Sequence, residues 1–144
     1  MSSSPDRVQR RAAVDGLPAP TGPYAWTVSF GDLVFVSGLR GIDEGSGEPA
    51  PTDEGRVRLI FDRLRIVLET HGCEPGDVLA TRVYVTDMGA LRPLVNDAYE
   101  RFFGSELPTR TIVEVRALNQ GDSVEVEAVI GRRGHVDGDG TCET

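Results

Sequence analysis

The sequence predicts one α+β domain, a mixed β-sheet with two helices on one face. Three observations carry this. At 144 residues the chain has the length of a single domain. Two windows repeat apolar side chains at the helical period. Five shorter stretches alternate or run apolar over strand lengths, giving the order β-β-α-β-α-β-β. A chain of this size can bury about two thirds of its unfolded surface, enough for a core without disulfides or metals. The 39% apolar content argues against wholesale disorder.

Residues 1–17 are polar and contain arginine, proline and serine, and are expected to form a flexible segment ahead of a domain at 18–132. Residues 24–30 and 33–38 read as two strands around a tight Gly31-Asp32 turn. Residues 40–52 are a loop of glycine, proline and acids. Val57, Ile60, Phe61, Leu64, Val67 and Leu68 then mark the clearest helix, capped by Thr52 or Asp53 and ended by Gly72. Residues 78–86 alternate as a strand. A second helix is expected from about Ala90 to Phe103, with a stripe of Leu94, Val95, Ala98 and Phe102 and with Pro93 confined to its first turn. Residues 110–117 and 123–130 read as a closing hairpin, and 133–144 as a disordered tail.

The net charge is −8, and all 15 basic residues are arginine. That charge disfavours a general nucleic-acid surface. The absence of lysine excludes a protein Schiff base. No apolar run approaches a membrane span, and the N-terminus has no apolar signal core. Cys73 and Cys142 form no CxxC pair, so a reducing cytoplasm is expected. His71, at a helix end, and His135, in the tail, are expected to be exposed; neither belongs to a ligand cluster, so no metal site is expected.

In the expected hairpin, Val113, Val115 and Ala117 share a face with Val124, Val126 and Ala128. Arg110, Ile112, Glu114 and Arg116 then share the other face with Glu125 and Glu127. Arg110 falls opposite residue 131, roughly 20 Å from Glu125 along the sheet. The two could meet only across a subunit boundary. The simpler alternative is that Glu125 pairs with Arg116 across the strands.

Several segments in this order resemble one family: GPYAWTVSFGDLVFVSG, VYVTDM, VNDAYERFFG and LPTRTIVEVRAL followed by SVEVEAVI. They are similar to the YjgF/YER057c/UK114 (Rid) family of reactive-intermediate deaminases over residues 18–131. The resemblance implies a chorismate-mutase-like fold, a homotrimer whose sheets form a barrel, and active sites in clefts between subunits. It implies hydrolysis of 2-imino or 2-enamino acids to 2-oxo acids and ammonia, without metal or cofactor. The implied partner is a small carboxylate-bearing imine or enamine, with no nucleic acid and no membrane. The ribonuclease label sometimes attached to the family sits poorly with the charge of −8, the missing lysine and the missing histidine pair.

By the same resemblance, Arg110 binds the substrate carboxylate, as a guanidinium fork can. Glu125 positions and activates the attacking water. Tyr24 lines the pocket, and Ser37 holds the water with Glu125. Asn96 faces the cleft, Gly38 allows close backbone approach to the ligand, and the main-chain carbonyl near Ile112 takes the imine N–H. Tyr24 can also be read as a half-buried strand tyrosine, and Asn96 as a polar residue of the helix surface.

The sequence departs from the family at Ile112, where cysteine is common, at Leu39, where glutamine is frequent, and at Ala25-Trp26 after GPY. These changes motivate an alternative: a larger enamine or imine in a specialised pathway. A non-catalytic trimeric module that binds small carboxylates is a further alternative. Trp26 is read equally as a pocket residue or as part of a subunit interface.

Overall fold

The computed structural model describes residues 7–133. Its strands are β1 (Gln9–Arg11), β2 (Thr27–Phe30), β3 (Leu33–Leu39), β4 (Val78–Val85), β5 (Thr109–Glu114) and β6 (Val124–Gly131). Its helices are α1 (Asp53–Thr70) and α2 (Met88–Phe103), with single 3-10 turns at Pro75–Asp77 and Asn119–Gly121. The sheet order is β1-β2-β3-β6-β4-β5. All neighbours are antiparallel except β4 and β5, which run parallel. The expected mixed α+β sheet is present, with both helices on the face that carries the core.

The ordered domain begins earlier than residue 18. β1 pairs with β2, Trp26 N–H donates to Arg11 O at 2.9 Å, and Val14 joins the core. The exposed residues of β1 carried no apolar alternation, so the sequence pattern could not mark this strand. Residues 1–6 and the expected tail from 134 onward lie outside the described residues. Arg133 is held by Asp77 at 3.1 Å and Glu74 at 3.1 Å.

The β2–β3 turn has Gly31 at φ +60°, as a two-residue turn with glycine in first position requires. Helix α1 follows its predicted stripe: Val57, Ile60, Phe61, Leu64, Val67 and Leu68 are all buried. Full burial of such a side chain contributes about 1.5–3 kcal/mol. Thr52 Oγ1 accepts the Gly55 N–H at 3.0 Å, satisfying one of the free N–H groups at the helix start. At the other end Gly72 takes φ +70°, its N–H donates to Glu69 O, and Cys73 N–H donates to Leu68 O. That is a Schellman ending, which glycine permits without strain.

Helix α2 begins earlier than expected. Asp87 caps it by accepting the Ala90 N–H at 3.2 Å, and Glu114 Oε1 accepts the Met88 N–H at 2.8 Å. Pro93 therefore lies inside the helix, not in its first turn. Pro93 and Gly89, four residues earlier, are both exposed, so water can reach the carbonyl that Pro93 cannot bond. The fully buried stripe is Leu91, Val95, Tyr99 and Phe103, while Leu94, Ala98 and Phe102 are only partly buried. Tyr99 fits a core position because its hydroxyl donates to Thr81 Oγ1 at 2.7 Å.

The closing hairpin does not form. β5 lies at the sheet edge beside β4, and β6 lies between β3 and β4. Helix α2 returns the chain to the start of β4, so β5 must enter parallel to it. β6 alternates cleanly, with Val124, Val126, Ala128 and Ile130 buried, and this suits a central slot. β5 buries none of its residues fully and takes the edge.

His71 ends α1 half-buried, its Nε2 3.2 Å from Thr27 Oγ1, rather than exposed as expected. Burial, with Arg11 and Arg132 nearby, pushes its pKa down to about 4. Below pH 6.5 the unfolded chain's histidine binds a proton that the folded one refuses. Its stabilising contribution is complete above that pH and is lost as pH falls towards 4. Urea unfolding at pH 7 and 4.5 is expected to show His71→Gln losing less stability on acidification than the parent, by roughly 1–2 kcal/mol once solvent screening of the half-exposed ring is allowed for.

Candidate active site

The expected site residues fall into two clusters. The first is built on β3 and β6. A β-bulge interrupts their pairing between Val36 and Leu39, displacing Ser37 and Gly38 from the regular ladder. The Glu125 side chain fills the space this opens: a β-carbon at Gly38 would lie 2.2 Å from Glu125 Oε2. Gly38 therefore makes room for the Glu125 carboxylate, and it also borders the small cavity beside Tyr24. Ser37 Oγ donates to Ala25 O at 2.6 Å, so its proton is committed and its lone pairs remain free to accept. Tyr24 is partly exposed, its hydroxyl accepts the Thr21 N–H at 3.2 Å, and its ring meets Trp26 edge-on at 5.5 Å. Tyr24, Trp26, Gly38 and Arg40 border a small cavity of about 30 Å³.

Glu125 is a partly desolvated carboxylate. Burial raises its pKa above the usual carboxylate range; Arg40 opposes this, and Asp122 and Glu127 add to it. Such a group is a better proton acceptor than an exposed glutamate.

The second cluster is built on β5 and α2. Arg110 pairs in register with Thr81, whose side chain lies on the helix face. From there Arg110 Nη1 donates to Asn96 Oδ1 at 2.8 Å, and the guanidinium lies 5.0 Å from the Tyr99 ring centroid. Asn96 and Tyr99 thus hold one side of the fork, and Arg110 makes no other hydrogen bond among the described residues. Ile112 faces the same way, against the core. Val115 N–H bonds Val85 O, so strand alternation turns the backbone groups of Arg110 and Ile112 towards the open edge of β5.

The predicted register between Arg110 and Glu125 is wrong, but their separation stands for another reason. Glu125 pairs with Tyr84, and Arg110 with Thr81. The two backbones are three residues and two strands apart, about 14 Å, and successive residues of β4 face opposite sides of the sheet. Arg110 lies on the helix face and Glu125 on the outer face. The alternative Glu125–Arg116 pair does not form; the cation beside Glu125 is Arg40, at 4.0 Å.

Sequence reasoning missed Arg40, Asp122 and Tyr99. Arg40 is 9% exposed and bonds Asp122 Oδ2 at 2.9 Å. Its only signal was an arginine directly after an apolar strand. Trp26 and Leu39 turn into this chain's own core, at 5% and 1% exposure, and Trp26 Nε1 donates to Pro18 O at 2.9 Å. Among the described residues no three metal-ligating side chains converge.

The fold and these clusters define a class: a small mixed-sheet protein with a desolvated carboxylate on one face of the sheet and an arginine held by Asn96 on the other. The family model described as Endoribonuclease L-PSP matches residues 16–131. The chain belongs to that family, the YjgF/RidA family. It is 31% identical over 129 residues to the 2-iminobutanoate/2-iminopropanoate deaminase of Salmonella typhimurium, covering 88% of this chain and 100% of that protein. It is 31% identical over 116 residues to a RutC family protein of Pyrococcus horikoshii, covering 80% of this chain and 91% of that one. The YjgF structure from Escherichia coli superposes with a TM-score of 0.78 at 30% identity, covering 87% and 100% of the two chains.

Replacing Gly38 with alanine is expected to displace the Glu125 carboxylate and to cost about 1–3 kcal/mol of stability. The same change on a Glu125→Ala background should cost less than half as much, because the atoms it meets are gone. A double-mutant cycle by urea unfolding checks this.

Proposed function

We propose that this protein is a deaminase that hydrolyses small 2-imino or 2-enamino acids to 2-oxo acids and ammonia, at sites completed between subunits of a homotrimer. The observation that carries the reading is the division of the site. One face of the sheet presents a desolvated glutamate, and the other presents a half-held arginine fork. A trimer would bring the Tyr24, Ser37, Gly38 and Glu125 cluster of one subunit against the Arg110, Asn96 and Ile112 cluster of the next. The exposed apolar residues Leu33, Phe35, Leu79 and Val113 would supply a surface for such an assembly.

In this mechanism Arg110 binds the substrate carboxylate through its free N–H donors. The outward backbone carbonyl of Arg110 or Ile112 accepts the iminium N–H. Glu125 takes a proton from water as the oxygen adds to the iminium carbon, giving a carbinolamine. Ser37 Oγ accepts a hydrogen bond from that water, and Tyr24 lies beside the reacting centre. The proton then passes to the amino nitrogen, the C–N bond breaks, ammonia leaves, and the hydroxyl loses its proton to leave the 2-oxo acid. Orientation supplies most of the rate. No step calls on a metal or a cofactor.

Small substrates are favoured over the larger ones first considered. Trp26 and Leu39 are largely buried in the core, and the cavity that they border beside Tyr24 holds only about 30 Å³, which suits a small substrate. The alternative of a purely binding module would need Arg110 but not Glu125. Among the described residues no helix is long and apolar enough to cross a membrane. A reducing cytoplasm suits the free, buried Cys73 thiol.

The test generates 2-iminopropanoate and 2-iminobutanoate with an amino-acid oxidase and follows semicarbazone formation. The parent should deplete the free imine. Arg110→Ala should lose about 100-fold or more in kcat/KM, from at least one charged hydrogen-bond pair. Glu125→Gln should lose about 100- to 10,000-fold in kcat. Unchanged turnover in Glu125→Gln would refute the mechanism.

The pH profile follows from the direction of the Glu125 shift. The base works ionised, so activity should fall as pH drops through a value above the ordinary 4.5 of glutamate. A kcat/KM profile over pH 4–9 checks this; an acid limb at or below 4.5 would contradict it.

A further inference from the structure

We propose that Arg40 is a positioning residue that holds the Glu125 carboxylate aimed and ionised for the reaction, an inference that rests on Glu125 being the water-activating base. Arg40 follows β3 directly, two residues beyond the glycine that makes room for Glu125. Its Nη1 donates to Asn119 O at 3.0 Å and to Asp122 Oδ2 at 2.9 Å, and its Nη2 donates to Gln120 Oε1 at 2.7 Å. These bonds fix the guanidinium to the turn that leads into β6. Its Nε makes no hydrogen bond among the described residues and lies 4.0 Å from Glu125 Oε1.

The anchors are themselves fixed. Asp122 Oδ1 accepts the Ser123 N–H at 2.7 Å and lies 3.7 Å from Arg56. Ser123 Oγ donates to Asp53 Oδ1 at 2.7 Å, which ties the network to the start of α1. Arg63 Nη1 donates to Arg40's own carbonyl at 2.9 Å. Both ends of Arg40 are therefore held, and the edge left over faces the carboxylate. Three of its five N–H donors are committed to the turn, and the Nε side lies 4.0 Å from the carboxylate.

The charged and titratable surroundings make that edge consequential. Asp122 approaches Glu125 from the preceding turn, and Glu127 from β6 itself. Tyr84, across on β4, donates its hydroxyl to Glu127 at 2.5 Å, and Arg82 lies 3.8 Å from Glu127. Burial and the two acids favour a protonated Glu125, and Arg40 is the cation that opposes them. In the proposed trimer the neighbouring Arg110 would add a second cation once substrate is bound.

The experiment follows two readouts on the full-length protein. One is the Glu125 carboxyl titration by carbon-13 NMR, assigned with Glu125→Gln. The other is the pH profile of kcat/KM on 2-iminopropanoate. Arg40→Gln is expected to raise both the titration and the acid limb by about one pH unit, a tenfold loss on the acid side that recovers at high pH. Arg40→Lys should restore most of the shift. Asp122→Asn removes an anchor but not the cation, and should raise neither. If Arg40→Gln fails to fold, Arg40→Gln/Asp122→Asn removes the buried pair without leaving an orphaned charge. It should still titrate above the parent, by less. An unchanged Glu125 titration in the folded Arg40 variants overturns the proposal. A raised titration with an unmoved acid limb overturns Arg40's part in the reaction and the base role of Glu125 together. An unmoved titration with a normal acid limb overturns Arg40's role alone.

Discussion

The pleat of β6 governs the rest of the structure. Its even-numbered residues Val124, Val126, Ala128 and Ile130 are needed in the core between β3 and β4, where the helices cover them. A strand cannot turn neighbouring side chains the same way. Burying that set sends Glu125 and Glu127 to the outer face. The same rule, carried through β4 to β5, keeps Arg110 and Ile112 on the helix face. A slip of one residue in β6 would exchange the faces, placing two carboxylates in the core and four apolar side chains outside. The location of the glutamate is thus set by hydrophobic burial, not by any contact it makes.

Placing a carboxylate where water is scarce has two effects that oppose each other. Desolvation makes Glu125 a stronger base but favours its protonated form, which could not serve as the proposed base. The chain balances these with a nearby buried arginine that is itself neutralised by Asp122, so the cation is compensated without being consumed by Glu125. Gly38 completes the arrangement by leaving the space the carboxylate occupies. On the other side, Asn96 and Tyr99 hold the Arg110 guanidinium in a fixed plane while leaving donors free. In the proposed reaction, fixing the fork beforehand lowers the entropy lost when the substrate carboxylate binds.

Local pattern made most of the fold legible. The α1 stripe, its Thr52 cap and its glycine ending were readable because each depends on neighbours within a few residues. The order of strands in space was not. Residues 110–117 and 123–130 both alternate and are joined by a short loop, which favours a hairpin on local grounds. The crossover through α2 overrides that, and nothing local to either strand reports it. Tyr99 was missed because its place in the core depends on a distant hydroxyl, Thr81. The candidate site residues came from the family resemblance, and the structure groups them into two clusters. Arg40 was illegible because its meaning comes from residues about eighty positions away.

The most direct test of a divided site is subunit complementation. Arg110→Ala and Glu125→Ala chains, each inactive alone, would be co-expressed with different tags and mixed oligomers isolated by tandem purification. A mixed trimer should regain about one working site in three, where an intact Glu125 meets an intact Arg110 from the next chain. Recovery of about a third of parental imine hydrolysis is the predicted result. Mixed oligomers as inactive as either parent variant, from a wild-type protein that is active, would place both groups in a site within one chain and contradict the account.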